Sequence, residues 1–250
     1  MNGLTSELLK YKRTFTRKLI VFIPLFFVLY SLVIRLLLPA FFNSWEGILD
    51  LVFNWWPFIF LPLGMGVFAV LVAAQERKSG NYHALLSHHI PPVKVWFCKV
   101  AGMAVYSLLS TLVLSAAVVI CGLITSSGRI PIFQILAGSM VCWLSSLVLI
   151  PVQLWAATWK GVFLSMGIAL AGMFAGVLAA PESYWAAVPW SWATRLMCPI
   201  IGVHPNGIVL EPGNPLLDSS VIPVGLILSV STFLLVTVIT GIWFNRREVK

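Results

Sequence analysis

Six apolar stretches dominate the sequence, and each is long enough to cross a lipid bilayer as one helix. About 20 apolar residues span the hydrocarbon core of a membrane as an α-helix. The stretches are continuous rather than alternating in polarity, which disfavours a β-barrel. The sequence therefore predicts an all-α membrane protein of one domain, residues 1–250, with six transmembrane helices at residues 19–38, 53–74, 100–125, 132–152, 162–180 and 221–244.

The composition excludes several other classes of protein. Of the 250 residues, 60% are hydrophobic and only 10% are charged, whereas roughly a quarter of the residues of an average soluble domain are charged. Too few polar side chains remain to cover a soluble enzyme or to form a disordered tail. The four cysteines form no CxxC pair, which argues against a zinc site or a disulfide framework.

The net charge of +8 is interpreted as a topology signal rather than as a surface for nucleic acid. Lys and Arg are enriched on the cytoplasmic side of membrane proteins. Three basic residues, Arg35, Arg129 and Arg195, fall on the side opposite the termini, together with five of the eight acidic residues. The other thirteen fall on the side that carries both termini, which we therefore predict to be cytoplasmic: Lys10, Lys12, Arg13, Arg17, Lys18, Arg77, Lys78, Lys94, Lys99, Lys160, Arg246, Arg247 and Lys250.

Most tryptophans fall near the ends of the predicted spans. Because indole rings prefer the headgroup level of a bilayer, this distribution predicts two aromatic belts. The outer belt would contain Trp45, Trp55, Trp56, Trp185, Trp190 and Trp192, and the inner belt Trp96, Trp155, Trp159 and Trp243.

Residues 4–18 precede the first span and have an amphipathic pattern. Leu4, Leu8, Tyr11 and Phe15 recur at helical spacing, and basic residues occupy much of the remaining surface. This pattern predicts a helix that lies in an anionic inner leaflet. An ordinary basic flank of a span explains the charge but not the apolar spacing.

The segment 75–99 joins spans two and three on the predicted cytoplasmic side. Gly80 and Pro91 bracket a short candidate helix at residues 81–90, because proline disfavours helical geometry in the residue before it. Its few apolar residues, which include Tyr82, Leu85 and Leu86, suit a groove on a partner better than a core. Three histidines are also present, but no carboxylate or thiol stands at ligand spacing, so we expect no metal site: His83, His88 and His89.

On the other side, residues 181–220 form a long connection that is rich in proline and tryptophan. Long loops of this kind are usually functional or disordered, and the aromatic content argues against disorder. Contact with an amphiphilic ligand, through Trp185, Trp190 and Trp192, and a re-entrant or surface helix are both consistent with this segment. Within span five, Gly172 and Gly176 form a GxxxG pattern that permits close helix packing in the bundle or across a dimer.

The sequence carries no motif for an energy source or a hydrolytic reaction. It contains no GxxxxGK[ST] phosphate loop, no HExxH and no GxSxG. No acidic residue lies deep inside a predicted span, which disfavours proton coupling through this chain alone. A membrane-embedded protease is also disfavoured, because paired glutamates or histidines inside the bundle are missing.

Together these features resemble the permease half of ABC-2 type transporters, which are type V exporters, and more closely the lantibiotic immunity permeases. The layout covers the whole chain, but the specific residues lie in its first hundred. They are the run 10–15 with 17–19, residues 54–56 leading to 61–64, and above all 75–86 followed by 95–99.

The resemblance implies a division of labour in the bacterial cytoplasmic membrane. A separate cytoplasmic ATPase subunit would bind ATP and Mg²⁺, while this chain would bind no cofactor and pair with a related or identical permease subunit. The complex would expel a lanthionine-containing, amphiphilic peptide from the membrane. The segment that touches the ATPase would contain Glu76, Arg77, Gly80, Asn81, Tyr82, Leu85 and Leu86.

Two alternatives remain open at this stage. In the first alternative, the chain is an ABC-2 permease that exports another drug, lipid or peptide. In the second alternative, the protein gives immunity passively, by sequestering the peptide without ATP.

Overall fold

The computed structural model describes residues 3–11, 14–37, 44–78 and 91–246, and nearly all of them are helical. The helices are α1 (Gly3–Tyr11), α2 (Phe15–Leu37), α3 (Trp45–Trp55), α4 (Leu61–Lys78), α5 (Pro92–Thr125), α6 (Ile132–Ser146), α7 (Leu149–Lys160), α8 (Val162–Ala179), α9 (Trp192–Ile201) and α10 (Val221–Asn245). A π-helical turn, Trp56–Phe60, joins α3 to α4, and short 3₁₀ turns lie at Trp185–Ala187, Pro189–Ser191 and Pro215–Leu217.

Among the residues that the structure describes, five stretches are long and apolar enough to cross a membrane, and a bent pair of helices is a sixth if the pair counts as one span. The five are α2, α3 with α4, α5, α8 and α10, and the pair is α6 with α7, whose axes differ by 42°. The order of spans agrees with the six apolar runs of the sequence, and we name the end of the bundle that contains α1 the inner end and the end that contains α9 the outer end.

The bend between α6 and α7 has a local cause. Pro151 lacks an amide hydrogen, and its ring clashes with the carbonyl four residues earlier, that of Leu147, in a continuous α-helix. The Ser145 hydroxyl also donates to the Val141 carbonyl at 2.6 Å, a bond that bends helices. Pro57 lies likewise in the π-helical turn between α3 and α4, where the helix departs from α geometry.

Two helices extend beyond their apolar runs. α4 continues to Lys78 and α5 begins at Pro92, so residues 75–78 and 92–99 of the predicted connecting segment are helical. With about 1.5 Å per residue, the 34 residues of α5 measure about 51 Å, roughly 20 Å more than the hydrocarbon core of a bilayer. The inner end therefore has room for charged residues outside the hydrocarbon.

The connection 181–220 folds back onto the bundle. In α9 the residues from Trp192 to Cys198 are buried, and the helix packs chiefly on α6 and α3. Gly202 ends α9 in the left-handed conformation, with φ of 96°, and the chain then turns through a bridge between Val203 and Val209. Of the two interpretations for this segment, the structure has a helix docked on the protein.

Candidate coupling site

Four charged side chains from three helices meet at the inner end, and we name them the ion quartet: Glu7, Lys10, Glu76 and Lys99. The Lys10 ammonium donates to a Glu7 oxygen and to Glu76 Oε1, both at 2.7 Å. The Lys99 ammonium donates to the other Glu7 oxygen at 3.1 Å and to the same Glu76 oxygen at 2.5 Å. Acids and bases alternate, so each carboxylate touches both lysines and the quartet has no net charge.

The quartet is largely hidden from solvent. Lys99 is fully buried, and Glu7 and Glu76 are each 5% exposed. A buried charge is costly unless it is paired and hydrogen-bonded, and the alternating arrangement meets that condition for both carboxylates and both ammonium groups. For Lys10, burial opposes the charged form, but the bonds to Glu7 and Glu76 outweigh it and raise the pKa of Lys10 above its ordinary value.

Several further contacts fasten α1 to the bundle beside the quartet. Gln75 donates to the Lys10 carbonyl at 3.3 Å, and Tyr106 donates to the Leu8 carbonyl at 3.1 Å. The Tyr11 ring is buried edge-on against Tyr106 and Phe68, at centroid distances of 4.8 and 5.7 Å. The N-terminal helix thus packs on protein along this face, and its contact with a lipid leaflet stays a prediction.

The single helix predicted for residues 4–18 is divided between two elements. α1 ends at Tyr11 and α2 begins at Phe15. Of the four residues of the predicted apolar face, Tyr11 is buried against the bundle, whereas Phe15 belongs to α2 and is 63% exposed. The helical spacing was correct only for the part before the break.

Arg77 connects α4 to the end of α7. Its Nη2 atom donates to the Ala157 carbonyl at 2.6 Å, and Gly161, which follows α7 with φ of 80°, lies against the same guanidinium. The carbonyls at a helix C-terminus carry partial negative charge and attract a cation. Both described members of the predicted ATPase-contacting set, Glu76 and Arg77, therefore make their bonds within this chain.

The remaining members of that set lie outside the described residues: Gly80, Asn81, Tyr82, Leu85 and Leu86. The described residues that flank this part of the chain are the end of α4, at Lys78, and the start of α5, at Pro92. The Glu76–Lys99 bond joins these two helices near those ends. The three predicted non-ligand histidines, His83, His88 and His89, also lie outside the described residues.

Sequence reasoning did not find the quartet, although one signal was available. Glu7 is the only acidic residue before Glu46 and stands among five basic ones. A lone acid in such a run suggests a specific ion pair, but its partner Lys99 is 92 residues away. Lys99 lies at the end of the predicted cytoplasmic segment 75–99, and the structure buries it completely.

At the outer end, aromatic rings pack against glycines. Trp190 covers Gly172 and Gly176 of α8, where an added Cβ on Gly176 would lie 2.6 Å from the Trp190 carbonyl oxygen. The space beside the GxxxG pattern is therefore occupied by the connection 181–220 rather than by another transmembrane helix. Trp45 on Gly122 and Phe53 on Gly138 repeat this arrangement.

The tryptophans predicted to contact a ligand are largely engaged in this packing. Trp192 is 2% exposed, and its Nε1 donates to the Ala186 carbonyl at 3.1 Å, so it offers no surface to a ligand in this conformation. Trp185 lies 6.0 Å from the guanidinium of Arg195. Trp185 and Trp190 are half-buried, and contact of these two with a ligand stays a prediction.

The belt interpretation is wrong for four tryptophans, because their side chains are buried: Trp45, Trp56, Trp96 and Trp192. Trp96, for example, donates to the Thr240 hydroxyl at 3.0 Å and packs against Phe244 at a centroid distance of 5.0 Å. Position along a span predicts the depth of a ring but not whether it faces lipid or protein. Trp159 is 49% exposed and fits the predicted inner belt.

A comparison with protein families gives one match. The family model described as ABC-2 family transporter protein matches residues 4–176, more than two thirds of the chain. The matched part includes the quartet, the segment 79–90, the first four spans and most of the fifth. No curated protein matches the chain, and neither does any solved structure.

Proposed function

Because this chain belongs to the ABC-2 family of transporter proteins, we propose that it exports a lantibiotic-type peptide from the bacterial cytoplasmic membrane and thereby gives its host self-immunity. The family makes it the membrane permease of an ABC exporter, a transport component rather than a catalyst. In this proposal a cytoplasmic ATPase subunit binds the ATP and Mg²⁺, and a second permease subunit, related or identical, completes the membrane path.

The arrangement at the base of residues 79–90 is the observation that carries the coupling part of the proposal. A partner that moves this segment pulls on α4 and α5 together, because Glu76 and Lys99 bond these helices to each other. Glu7 and Lys10 extend the connection to α1, and Arg77 extends it to α7. A displacement of this segment by an ATPase would thus be transmitted to four helices at once, namely α1, α4, α5 and α7.

The charge of the connection 181–220 supports a cationic cargo. Residues 181–220 contain three exposed acids, Glu182, Glu211 and Asp218, and one arginine, Arg195. Arg195 is buried and donates to the Leu216 carbonyl at 2.8 Å, so its charged group is not exposed to a ligand at the surface. Bonds from Ser220 lower the pKa of Asp218, which keeps that carboxylate ionised. An acidic surface attracts a cationic, amphiphilic peptide.

The decisive experiment measures tolerance to lantibiotics. Cells that express this chain with its ATPase and partner permease should need a higher lantibiotic concentration for growth inhibition than cells with an empty vector. Unchanged tolerance to every lantibiotic tried, with raised tolerance to another amphiphile, would favour a different cargo and leave the permease assignment intact.

A second experiment separates active export from passive sequestration. Leu85→Asp combined with Leu86→Asp should abolish protection and the co-purification of the ATPase, because two carboxylates oppose docking of an apolar helix face. Membrane insertion should be normal. Ser87→Asp is the matched control, since it adds a carboxylate to the same segment without removing an apolar side chain. Protection that survives the double variant would indicate passive immunity.

A further inference from the structure

An open cleft runs between α2 and α4 on the side of the bundle. α2 packs chiefly on α5 and touches α4 only slightly, so the two helices diverge. The walls include Phe22, Ile23 and Phe26 of α2 with Gly64 and Val67 of α4. The part of the cleft between these walls has a volume of about 340 Å³. Phe22 and Phe26 are more than half exposed along its rim.

The floor of the cleft offers few groups to a polar occupant. The hydroxyl groups of the floor donate to backbone carbonyls: Ser107 to Ala104 at 2.9 Å, Ser110 to Ile20 at 3.0 Å and Thr111 to Ser107 at 3.0 Å. A peptide inserted here would find no donors for its carbonyls from these hydroxyls, and unsatisfied backbone groups are costly in a bilayer. A hydrocarbon chain has no such requirement.

The length of the cleft corresponds to one leaflet. Thr16 lines its inner end and Phe26 its far end, ten residues apart on α2, which is about 15 Å of helix. The hydrocarbon core of a bilayer is about 30 Å thick, so the cleft spans about half of it. A transmembrane helix of another subunit would need the full thickness and a groove wide enough for a diameter of about 10–12 Å.

Positive charge lies at the inner mouth. Arg17 and Lys18 follow Thr16 on α2, and both side chains are exposed. Basic residues beside a pocket between transmembrane helices on the cytoplasmic side attract anionic lipid headgroups. An apolar cleft about one leaflet long, with two exposed cationic side chains next to its inner end on α2, matches the length and charge of an anionic phospholipid.

We propose that the cleft between α2 and α4 binds an anionic phospholipid, with an acyl chain against Gly64 and the phosphate near Arg17 and Lys18. The bound lipid fills the gap that α2 leaves beside α4 and so completes the packing of the first span. The site is separate from the ion quartet and does not depend on which cargo the exporter carries.

Glycine at position 64 allows a direct test. An added Cβ there meets no atom within 4 Å, so the side chain of Gly64→Phe can extend from α4 into the cleft. Gly167→Phe is the matched control, because Gly167 of α8 is equally open and lies away from the cleft. Gly64→Leu provides a milder filling if the phenylalanine variant is poorly folded.

The readout is native mass spectrometry of the full-length purified chain with phosphatidylglycerol or with phosphatidylcholine of identical acyl chains. We expect the wild type to retain phosphatidylglycerol several-fold better, Gly64→Phe to lose several-fold of both lipids, and Arg17→Gln with Lys18→Gln to lose the preference between them. Lys160→Gln is the charge control.

Equal retention of both lipids by the wild type, or identical behaviour of Gly64→Phe and Gly167→Phe, overturns the proposal. An altered oligomeric mass of Gly64→Phe with unaltered lipid retention also overturns it, since the occupant is then a second copy of the chain.

Discussion

At the inner end of the bundle, four charged side chains join three helices, whereas at the outer end aromatic rings rest against glycines. The inner contacts are hydrogen bonds between buried charges, so they depend on every member being present. The outer contacts depend on shape, because a single added methyl group at Gly176 would collide with the backbone of Trp190.

The comparison teaches where each kind of contact is useful. An ion pair between helices forms or breaks as a unit and acts over several ångströms, which suits helices next to the segment on which the proposed ATPase partner would act. Close-packed rings and glycines resist deformation, which suits an end that must keep its form beside the membrane surface. The following predictions test this distinction, from the largest expected effect to the smallest.

Removal of the fully buried lysine should have the largest effect. Lys99→Met leaves Glu7 and Glu76 to share Lys10 alone, and breaking a buried ion pair in this way costs about 3–5 kcal/mol. Chemical denaturation of the purified protein in detergent measures the change. Lys94→Met, an exposed lysine five residues earlier on the same helix, should change the free energy of unfolding by no more than about 0.5 kcal/mol. Equal stability of the two variants would contradict the role of the quartet.

At the outer end, enlarging one glycine should be harmful and enlarging another should not. Gly176→Ala places a Cβ 2.6 Å from the Trp190 carbonyl oxygen, so the backbone must shift, at a cost of about 1–3 kcal/mol. Gly167→Ala, with open space around it, should be neutral or slightly stabilising. Thermal unfolding monitored by tryptophan fluorescence distinguishes the two variants. Identical melting temperatures would show that the contact between Trp190 and Gly176 does not stabilise the outer end.

A smaller effect is expected where a side chain fastens the turn after α9. Asn54 donates to the His204 and Pro205 carbonyls at 3.0 and 3.2 Å, and a net hydrogen bond contributes about 0.5–1.5 kcal/mol. Asn54→Leu should lower stability by about that amount and increase hydrogen exchange in residues 203–210. Exchange elsewhere at the outer end should be unchanged, and a uniform increase would contradict the local role of Asn54.

The smallest effect should be a pH dependence confined to the inner end. Folding raises the pKa of Lys10, so the stabilisation is complete below its unfolded value of 10.5 and is lost as the pH rises through the folded value. Hydrogen exchange of α1, corrected for the intrinsic rate, should therefore increase above pH 10.5. Lys10→Met should lack this step, and α9 should show none in either protein. A step of equal size in α9 would indicate general alkaline unfolding.

An all-helical chain with five or six candidate spans could be predicted, because each span requires about 20 apolar residues and hydropathy detects them. The helix ends could not. Gln75 to Lys78 are polar, yet they continue α4, since Glu76 and Arg77 find partners at Lys99 and Ala157. A hydropathy value counts each charged side chain as unfavourable, whether or not it has a partner in the fold. The predicted span 53–74 therefore ended before Gln75.

The candidate site was predictable only as a location. The segment 75–99 was identified between spans two and three, but the contacts within the quartet join residues as far apart as 66 and 92 positions. Such pairs follow from the placement of α1 against α4 and α5, which periodicity within one helix does not encode. The burial of Trp45, Trp56, Trp96 and Trp192 was missed for the same reason.

The long separation between Glu7 and Lys99 also has a consequence for biosynthesis. Chains grow at roughly 5–20 residues per second, so the 92 positions between them correspond to roughly 5–20 s of translation. During that interval α1 has left the ribosome, while α5, the helix on which it chiefly packs, has not been made. The first helix to be synthesised therefore takes its final place only after the third span has been made.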